Sequence, residues 1–270
     1  AVNQGTGAVS VTSTGSVTGA AGSGLSANNS GTNLTIAVAD VTGDRMGIEA
    51  INQGTGALTV TSTGPVTAAT DRGISAVNYG NATGDLTILS NAVSGGTDGI
   101  SAVNNGTGGL SVTSTGNVTG TSGRGVYAFN WTNSTGGLSV STAGVSGGSD
   151  GIFVENLGTG TISVTTSGAI SGGIGAAIQT NSGAGSAVVI TLLSTSSVSS
   201  TSGAAIVDGR GNAVVTINAG AVVNGSISLG AGNDTLNIMA GASLAGVTAL
   251  DGGSFLRGYT QSQCWCGWCD

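Results

Sequence analysis

Apolar and polar residues alternate over short stretches of this chain, and one alternating stretch returns at a constant interval. The phrase GISAVN occurs at Gly73–Asn78 and again, 26 residues later, at Gly99–Asn104. Looser copies begin at Gly47 (GIEAIN), Gly125 (GVYAFN) and Gly151 (GIFVEN). Strict alternation is typical of a β-strand with one buried face, and a period between about 20 and 50 residues is typical of a solenoid.

Each repeat carries two further alternating stretches after the phrase. One is typified by Leu58–Thr61 (LTVT), and the other is a short V-T-G or V-S-G piece such as the one at Val66. Three such strands bury little alone, but stacked repeats let every strand pair in parallel with its copies, about 4.8 Å above and below. The pattern predicts an all-β fold, a right-handed single-stranded parallel β-helix with three faces and about 26 residues per coil.

One repeat domain is predicted over residues 1–253, followed by a tail of different character over residues 254–270. The coils open near glycines that recur at one repeat position: Gly24, Gly47, Gly73, Gly99, Gly125, Gly151 and Gly175. Two inward columns are predicted in the first strand: Ile48, Ile74, Ile100, Val126 and Ile152, and beside them Ala50, Ala76, Ala102, Ala128 and Val154. The distance from the end of the phrase to the next strand alternates, which predicts corner loops of alternating length along one edge.

An asparagine closes the phrase in successive coils, which predicts a ladder of side chains at one corner. A stacked amide can donate to one copy and accept from another, and Asn also tolerates the left-handed backbone of a tight turn. We therefore assign these residues a structural role: Asn29, Asn52, Asn78, Asn104, Asn130 and Asn156.

Aromatic residues make up only 3% of the chain, yet several fall at outward positions of two neighbouring coils. Tyr127 and Phe129 alternate with inward residues in one coil, Phe153 lies in the next, and Trp131 follows at the corner. Exposed aromatic rings stack on sugars or anchor protein partners, so these four residues form the candidate binding site. A local hydrophobic sheath and a self-association face are equally compatible with the pattern.

The composition excludes several classes of function. The chain has no His, its five basic residues are all Arg, and its net charge is −7. The commonest general base and metal ligand is thus missing, and binding to nucleic acid is not expected. No run of about 18 apolar residues is present, so no membrane-spanning helix is expected. One edge is predicted to carry a solvated ladder of alternating charges with weak salt bridges: Arg72, Asp98, Arg124 and Asp150.

Catalysis, metal binding and a cofactor are not expected. Polysaccharide-cleaving β-helix enzymes need carboxylates that converge on one face, but Glu49 and Glu155 lie four coils apart. Serine is abundant, but no base is available to activate it. The stretch Leu229–Leu236 (LGAGNDTL) resembles one copy of a calcium-binding nonapeptide repeat. One copy supplies a single Asp, so a Gly-Asn turn before another strand is the favoured interpretation.

The tail breaks the repeat. It reads SFLRGYTQSQCWCGWCD and holds all three cysteines, Cys264, Cys266 and Cys269. A metal site would lack its fourth ligand, and an odd number of cysteines is awkward for disulfides. We expect the tail to lie outside the repeat fold, as a shifted reading frame or a fusion scar. The chain also begins in mid-phrase at Ala1, so we expect a processed product or a fragment.

The G-I-x-A-x-N phrase, the L-x-V-x-S/T strands and the closing stretch VNGSISLGAGNDTL resemble the passenger domains of bacterial autotransporters over about residues 1–250. The resemblance implies a rod at the cell surface or outside the cell, anchored through an outer-membrane barrel that is not in this chain, and often adhesive. Its implied partner is a glycan or protein of a host or neighbouring cell. The cysteine-rich tail departs from the pattern of that family.

Three functions stay open at this point. The first is a structural or adhesive rod without catalysis, and the second is a polysaccharide-binding or polysaccharide-cleaving β-helix protein. The third is binding to ice or a glycan lattice through outward rows such as Thr59, Thr61 and Thr63, or Ser111, Thr113 and Thr115. Leu89 and Asn91 break that row in the intervening coil, which weighs against a flat regular array.

Overall fold

The chain folds into a parallel β-solenoid of about 10 turns, with about 25 residues in each turn. The computed structural model describes residues 1–183 and 186–252 in full, and the strand Leu256–Thr260 by its backbone alone. Within these residues all regular secondary structure is β-strand, and no helix is present that could cross a membrane. The all-β solenoid predicted from the repeat is therefore confirmed.

Three strands in each turn form three faces, which we call faces A, B and C in chain order. Face A holds Val2–Asn3, Leu25–Asn29, Ile48–Asn52, Ile74–Asn78, Ile100–Asn104, Val126–Asn130, Ile152–Asn156, Ile178–Ser182 and Leu250–Asp251. Face B holds Val9–Ser13, Leu34–Val38, Leu58–Ser62, Leu86–Ser90, Ile162–Thr166, Ala187–Leu192, Asn212–Ile217, Asp234–Ile238 and Leu256–Thr260. Face C holds Val17–Gly19, Val41–Gly43, Val66–Ala68, Val93–Gly95, Ala169–Gly172 and Ser243–Gly246.

Four longer strands continue around an edge of the solenoid without a break. Leu110–Gly120 and Leu138–Gly147 run from face B to face C. Ser197–Asp208 and Val222–Ser228 run from face C to face A. These strands bend where the register shifts, between Ser114 and Asn117 in the first of them. The edges from face B to face C and from face C to face A are therefore a bend in a continuous strand in some coils and a short loop in others.

The strands pair in parallel, and the register joins equivalent repeat positions. Ile100 pairs with Ile74 on one side and with Val126 on the other. On face B, Leu110 lies between Leu86 and Leu138 in the same way. Each residue therefore stacks on its counterparts at the spacing of neighbouring strands, about 4.8 Å.

Apolar columns fill the interior as the alternation predicts. The two predicted columns of face A are fully buried from Ile48 to Ile152 and from Ala50 to Val154. Face B adds a further pair of buried columns, which includes Leu58 with Val60. Burial of one Ile or Leu side chain contributes roughly 1.5–3 kcal/mol relative to exposure, so the columns supply most of the driving force for stacking.

The glycine that opens the phrase is explained by how closely the coils approach one another. A Cβ placed on Gly99 would lie 2.6 Å from the carbonyl oxygen of Gly125 and 2.6 Å from Cγ1 of Val118. Both distances are far below van der Waals contact, so any larger residue would push neighbouring coils apart. Gly47 and Gly73 meet their neighbours in the same way. The repeated glycine is thus required by packing.

Between Asn52 and Leu138 the corner between faces A and B alternates between two lengths, as predicted. Residues 53–57 join Asn52 to Leu58, whereas the longer segment 79–85 joins Asn78 to Leu86. The same alternation follows in segments 105–109 and 131–137. Nevertheless Asn52 pairs with Asn78 and Leu58 with Leu86, so the extra residues leave the register of both strands unchanged.

We expect Ile100→Asp to destabilise the solenoid by about 4 kcal/mol or more, because it places an unpaired charge in a dry column. The matched control is Val103→Asp in the same strand, at the position where Glu155 stands two coils later. Because this side chain points outward, its replacement should cost about 1 kcal/mol or less. Urea unfolding of both variants measures the difference, and equal costs would show that the register is wrong.

Candidate functional site on face A

The four aromatic residues singled out in the sequence lie together on the outside of face A and its corner, and we call them the aromatic patch: Tyr127, Phe129, Trp131 and Phe153. Tyr127 pairs in register with Phe153, and Phe129 with Glu155. Inward neighbours such as Val126 are fully buried, which sets the outward direction of the alternate positions.

The rings of the aromatic patch form one connected cluster. The centroids of Tyr127 and Phe129 are 6.2 Å apart with an interplanar angle of 23°, and those of Tyr127 and Phe153 are 5.7 Å apart. Phe129 and Trp131 meet edge to face at 5.4 Å, with an angle of 85°. These separations lie in the range of favourable aromatic pairs, so the rings hold each other in place.

Exposure differs strongly across the aromatic patch. Phe129 is only 9% exposed although it occupies an outward position, because Tyr127 and Trp131 flank its ring. Trp131 is 47% exposed and stands at the edge of the patch, where the longer corner begins. A partner would therefore contact the exposed ring of Trp131 at the edge of the aromatic patch, and rings that are less exposed beside it.

Arg124 belongs to this cluster, although the sequence pattern placed it only in the charge ladder. Its guanidinium carbon lies 4.8 Å from the ring centroid of Tyr127 and 4.3 Å from that of Phe153. Both distances are within the range of cation–π attraction. The available signal was its position three residues before Tyr127, at the edge from which that strand starts.

The charge ladder forms as two separate salt bridges between neighbouring coils, but it is less solvated than predicted, since Asp150 is only 8% exposed. Arg72 Nε lies 3.3 Å from Asp98 Oδ2, and Arg124 Nε lies 3.3 Å from Asp150 Oδ2. The Arg124 amide also donates to Asp98 Oδ1 at 2.8 Å. Partly exposed pairs of this kind contribute at most about 1 kcal/mol, but here they fix the guanidinium of Arg124 over the rings.

The phenol of Tyr127 stays protonated at neutral pH. Burial raises its pKa above the ordinary value, the charge of Arg124 opposes this shift, and the carboxylates of Glu155 and Asp98 add to it. A protonated phenol can donate as well as accept a hydrogen bond. The aromatic patch thus combines apolar ring faces with one polar group.

The asparagine ladder lies inside the corner between faces A and B, and all six predicted members are fully buried. Amide-to-amide hydrogen bonds join Asn29 to Asn52 at 3.0 Å and Asn52 to Asn78 at 3.2 Å. Further along, the amides turn to the corner backbone instead: Asn104 donates to Gly108 O and Asn156 to Gly160 O, both at 2.7 Å. The asparagines therefore occupy equivalent positions in successive coils, but the amide-to-amide hydrogen bonds do not continue along the whole ladder.

The prediction of a left-handed backbone conformation at these asparagines is wrong. Within the described residues no residue other than glycine has a positive φ. Each ladder asparagine closes a face A strand, and its side chain turns inward. In four of the six, Oδ1 accepts the backbone amide two residues later, as Asn104 does from Gly106 at 3.2 Å. The side chain, and not an unusual backbone conformation, shapes the turn.

Asn130 is an exception in the ladder, since neither its Nδ2 nor its Oδ1 has a hydrogen-bond partner. It precedes a longer corner, as Asn78 does, and Asn78 donates to Gly84 O at 3.3 Å. The equivalent carbonyl after Asn130, that of Gly136, lies 3.4 Å from the Ser134 hydroxyl, which donates to Gly108 O at 2.6 Å. A serine inside this corner thus contacts the carbonyl that the asparagine would otherwise use.

Face B carries the threonine rows. The strand register aligns one outward hydroxyl residue in each of seven consecutive coils: Ser10, Thr35, Thr59, Thr87, Ser111, Ser139 and Ser163. The second column is interrupted by Leu89, which pairs with Thr61 and Thr113. Thr63 and Thr115 lie near the edge towards face C and donate to backbone carbonyls of the preceding coil.

The two glutamates are engaged separately, on different coils. Glu49 lies 3.6 Å from Arg45, and Glu155 accepts a hydrogen bond from Asn181 at 2.6 Å. In the part of the chain that the structure describes, no three His, Cys, Asp or Glu side chains come together to hold a metal ion. Cys264, Cys266 and Cys269 lie outside the described residues.

Two buried carboxyl groups lie near the C-terminal end of the solenoid. Asp208 follows Val154 and Thr180 in one inward column, and it is 1% exposed. Burial raises its pKa to about 7, the hydrogen bond from Thr180 opposes this, and the charge of Asp234 raises it further. Asp234 is fully buried in the next coil and accepts the Ala213 amide at 2.9 Å.

Comparisons with known proteins add no relative to this description. No family model, no curated protein and no solved structure matches the chain.

We expect Asn52→Ala to cost about 3 kcal/mol, because it removes four hydrogen bonds and leaves buried partners unsatisfied in Asn29, Asn78 and the corner. Asn130→Ala is the matched control, with equal burial and no bonds to lose, and should cost about 1 kcal/mol or less. Chemical denaturation of both variants tests this. Equal losses would mean that the hydrogen bonds of the ladder contribute nothing to stability.

Proposed function

We propose that this protein is a rigid rod that presents the aromatic patch to a glycan or protein partner. The observation that carries the proposal is the clustering of four of the nine aromatic residues of the sequence at outward positions of neighbouring coils, whereas Tyr79 is the one other aromatic residue before Phe255. Clustered aromatic side chains at outward positions are common at binding sites for proteins and sugars.

The rod favours binding because the aromatic patch is already ordered. Its strands are held by parallel pairing on both sides, and Arg124 is fixed by Asp98 and Asp150. Rings held in place lose little conformational entropy when a partner binds. Ring faces and the Tyr127 phenol suit a sugar, which offers both C–H surfaces and hydroxyls, as well as a protein side chain.

We place the rod at the cell surface or outside the cell, on the strength of its sequence resemblance to autotransporter passenger domains. An extended solenoid with regular coils is suited to holding a binding surface away from its point of attachment. Anchoring by an outer-membrane barrel outside this chain belongs to the same proposal. The role is adhesive or structural, and the partner sits on a host or neighbouring cell.

The proposal includes no catalysis by the chain itself. Ser and Thr hydroxyls need a nearby base to act as nucleophiles, and the sequence contains no His or Lys. Glu49 and Glu155 are engaged with Arg45 and Asn181, on separate coils. The arrangement supports binding in preference to polysaccharide cleavage, which needs two carboxyl groups about 5–10 Å apart across a substrate.

We expect the double variant Tyr127→Ser with Phe129→Ser to bind its partner about 10-fold less well or worse, since aromatic anchors commonly contribute about 2 kcal/mol or more. The partner is first sought by screening the wild-type chain on a glycan array and on matrix proteins, with sedimentation velocity to detect self-association. Circular dichroism and urea unfolding then establish that the double variant folds.

The control for this experiment is Tyr79→Ser, which removes an aromatic residue of similar exposure to Trp131 from a corner outside the aromatic patch. It should leave binding unchanged. If the double variant folds and binds like wild type, the rings are only a hydrophobic sheath. If it unfolds, Phe129 serves the stability of the coil and the patch is not a dispensable surface.

Face B supports a second candidate function, the binding of an ordered lattice such as ice or a crystalline polysaccharide. The supporting observation is the hydroxyl column from Ser10 to Ser163, whose members repeat at the strand spacing of about 4.8 Å. A lattice partner needs such a repeat over many coils. The neighbouring column is interrupted by Ala37 and by Leu89, which is 44% exposed.

If this second function is correct, wild-type protein should slow ice recrystallisation or sediment with crystalline polysaccharide, and Leu89→Thr should strengthen the effect about twofold or more. The control is Leu193→Thr, a leucine of 39% exposure that lies in a turn beyond the face B strands. No effect of wild-type protein in either assay would exclude lattice binding.

A further inference from the structure

Asp208 stands where the core should be apolar. The inward column that holds Ala128 and Val154 continues through Thr180 to Asp208, because these residues pair in register. Thr180 Oγ1 donates to Asp208 Oδ1 at 2.7 Å, but Oδ2 is buried without any hydrogen-bond partner. No salt bridge within the described residues involves this carboxyl group. A carboxylate so placed is costly unless a positive charge compensates it.

The next coil adds a second carboxyl group, that of Asp234, in which one buried oxygen also lacks a hydrogen-bond partner. Asp234 follows Asn233 at the corner that stacks on residues 208–212, and the Arg210–Ala231 bridge ties the two corners together. Its Oδ1 accepts the Ala213 amide, whereas its Oδ2 is buried and has no partner. Two acids in neighbouring coils that interact electrostatically therefore each keep one unused oxygen inside the solenoid.

Carbonyl oxygens of the corner 208–212 lie against the glycines of the corner 229–234. A Cβ on Gly230 would overlap the carbonyl oxygens of Asp208 and Gly209, and a Cβ on Gly232 would overlap that of Gly211. Gly230 also has a positive φ of 68°, which favours glycine. The glycines thus bring the two corners close together. Carboxylate and carbonyl oxygens are present there, beside the side chain of Arg210 and that of Asn212, whose Oδ1 accepts the Asn233 amide at 2.9 Å.

We propose that the stacked corners 208–212 and 229–234 form a Ca²⁺ site, in which Asp208 and Asp234 supply carboxylate oxygens and the corner backbone supplies carbonyl oxygens. Ca²⁺ accepts six to eight oxygen ligands in irregular geometry, which suits a site built from backbone and two acids. Mg²⁺ demands a near-octahedral shell and retains its waters, which suits a buried corner poorly. Zn²⁺ prefers nitrogen and sulfur ligands, and these corners offer none.

A single sequence copy of the nonapeptide-like stretch could not make this site, because Leu229–Leu236 contributes only Asp234. The structure supplies the second acid from the preceding coil, outside that stretch. Bound Ca²⁺ would join these two neighbouring corners and stabilise the C-terminal part of the solenoid. The proposal is independent of the aromatic patch, which lies several coils away.

Thermal unfolding of the full chain at pH 8 tests the site, first in EDTA and then in a CaCl₂ titration. Binding to the folded state at about 100 times the dissociation constant should raise Tm by about 5 °C. Asp208→Asn and Asp234→Asn should each abolish the Ca²⁺-dependent rise, and MgCl₂ should produce a smaller rise in wild type. Asp44→Asn, which removes an exposed acid near the other end of the solenoid, should leave the rise intact.

Isothermal titration of wild type with CaCl₂ provides a readout that does not depend on how well the variants fold, and we expect one tight site per chain. Absence of both binding and a shift in Tm would overturn the proposal, and Asp208 would then be a buried acid neutralised by a proton. A Ca²⁺-dependent rise that persists in both Asn variants would also overturn it, because the ion would be bound elsewhere.

Discussion

Parallel stacking of equivalent residues is the constraint on which the rest of this molecule depends. Since each strand pairs with its own copy in the next coil, every position meets a nearly identical neighbour above and below. Stacking favours apolar residues in the interior, because they form continuous dry columns. It favours small residues where coils approach closely, as at Gly99. Charged residues do not benefit unless their sign alternates, as it does from Arg72 to Asp150. The low charge of the chain is therefore a consequence of the architecture.

The same constraint explains how function can be added to such a rod. An outward side chain has little effect on the core, so a few coils can carry unusual residues while the register is kept. Tyr127 and Phe153 occupy positions that hold Ser75 and Ser101 in earlier coils, and stacking brings their rings into contact. Arg124, fixed by the acids of adjacent coils, then covers two of these rings. Neighbouring coils thus build a surface that no single repeat contains.

Much of the fold could be predicted from the sequence, because alternation reports directly on which face of a strand is buried. The Ile48–Ile152 column, the two corner lengths and the asparagine positions all follow from the repeat. Hydrogen bonding did not follow, because it depends on loop geometry: Ser134 affects Asn130 only through the path of a longer corner. The buried position of Asp208 could not be predicted, for a different reason. Beyond Gly175 the phrase degenerates, and only the pairing of Ile178 with Ile206 shows that an acid has replaced an apolar residue.

At the corner between faces A and B, the number of residues can change without any change in the register of the strands. Segments 53–57 and 79–85 differ by two residues, yet the strands on either side of them pair without any shift. An insertion there does not propagate into the core, whereas one within a strand would turn its inward residues outward. This corner is therefore the place where the sequence can lengthen, diversify or accept a grafted peptide while the register of the strands is kept. The longer form stands at two corners that are two coils apart, so grafts there would lie about 9.6 Å from each other, twice the strand spacing.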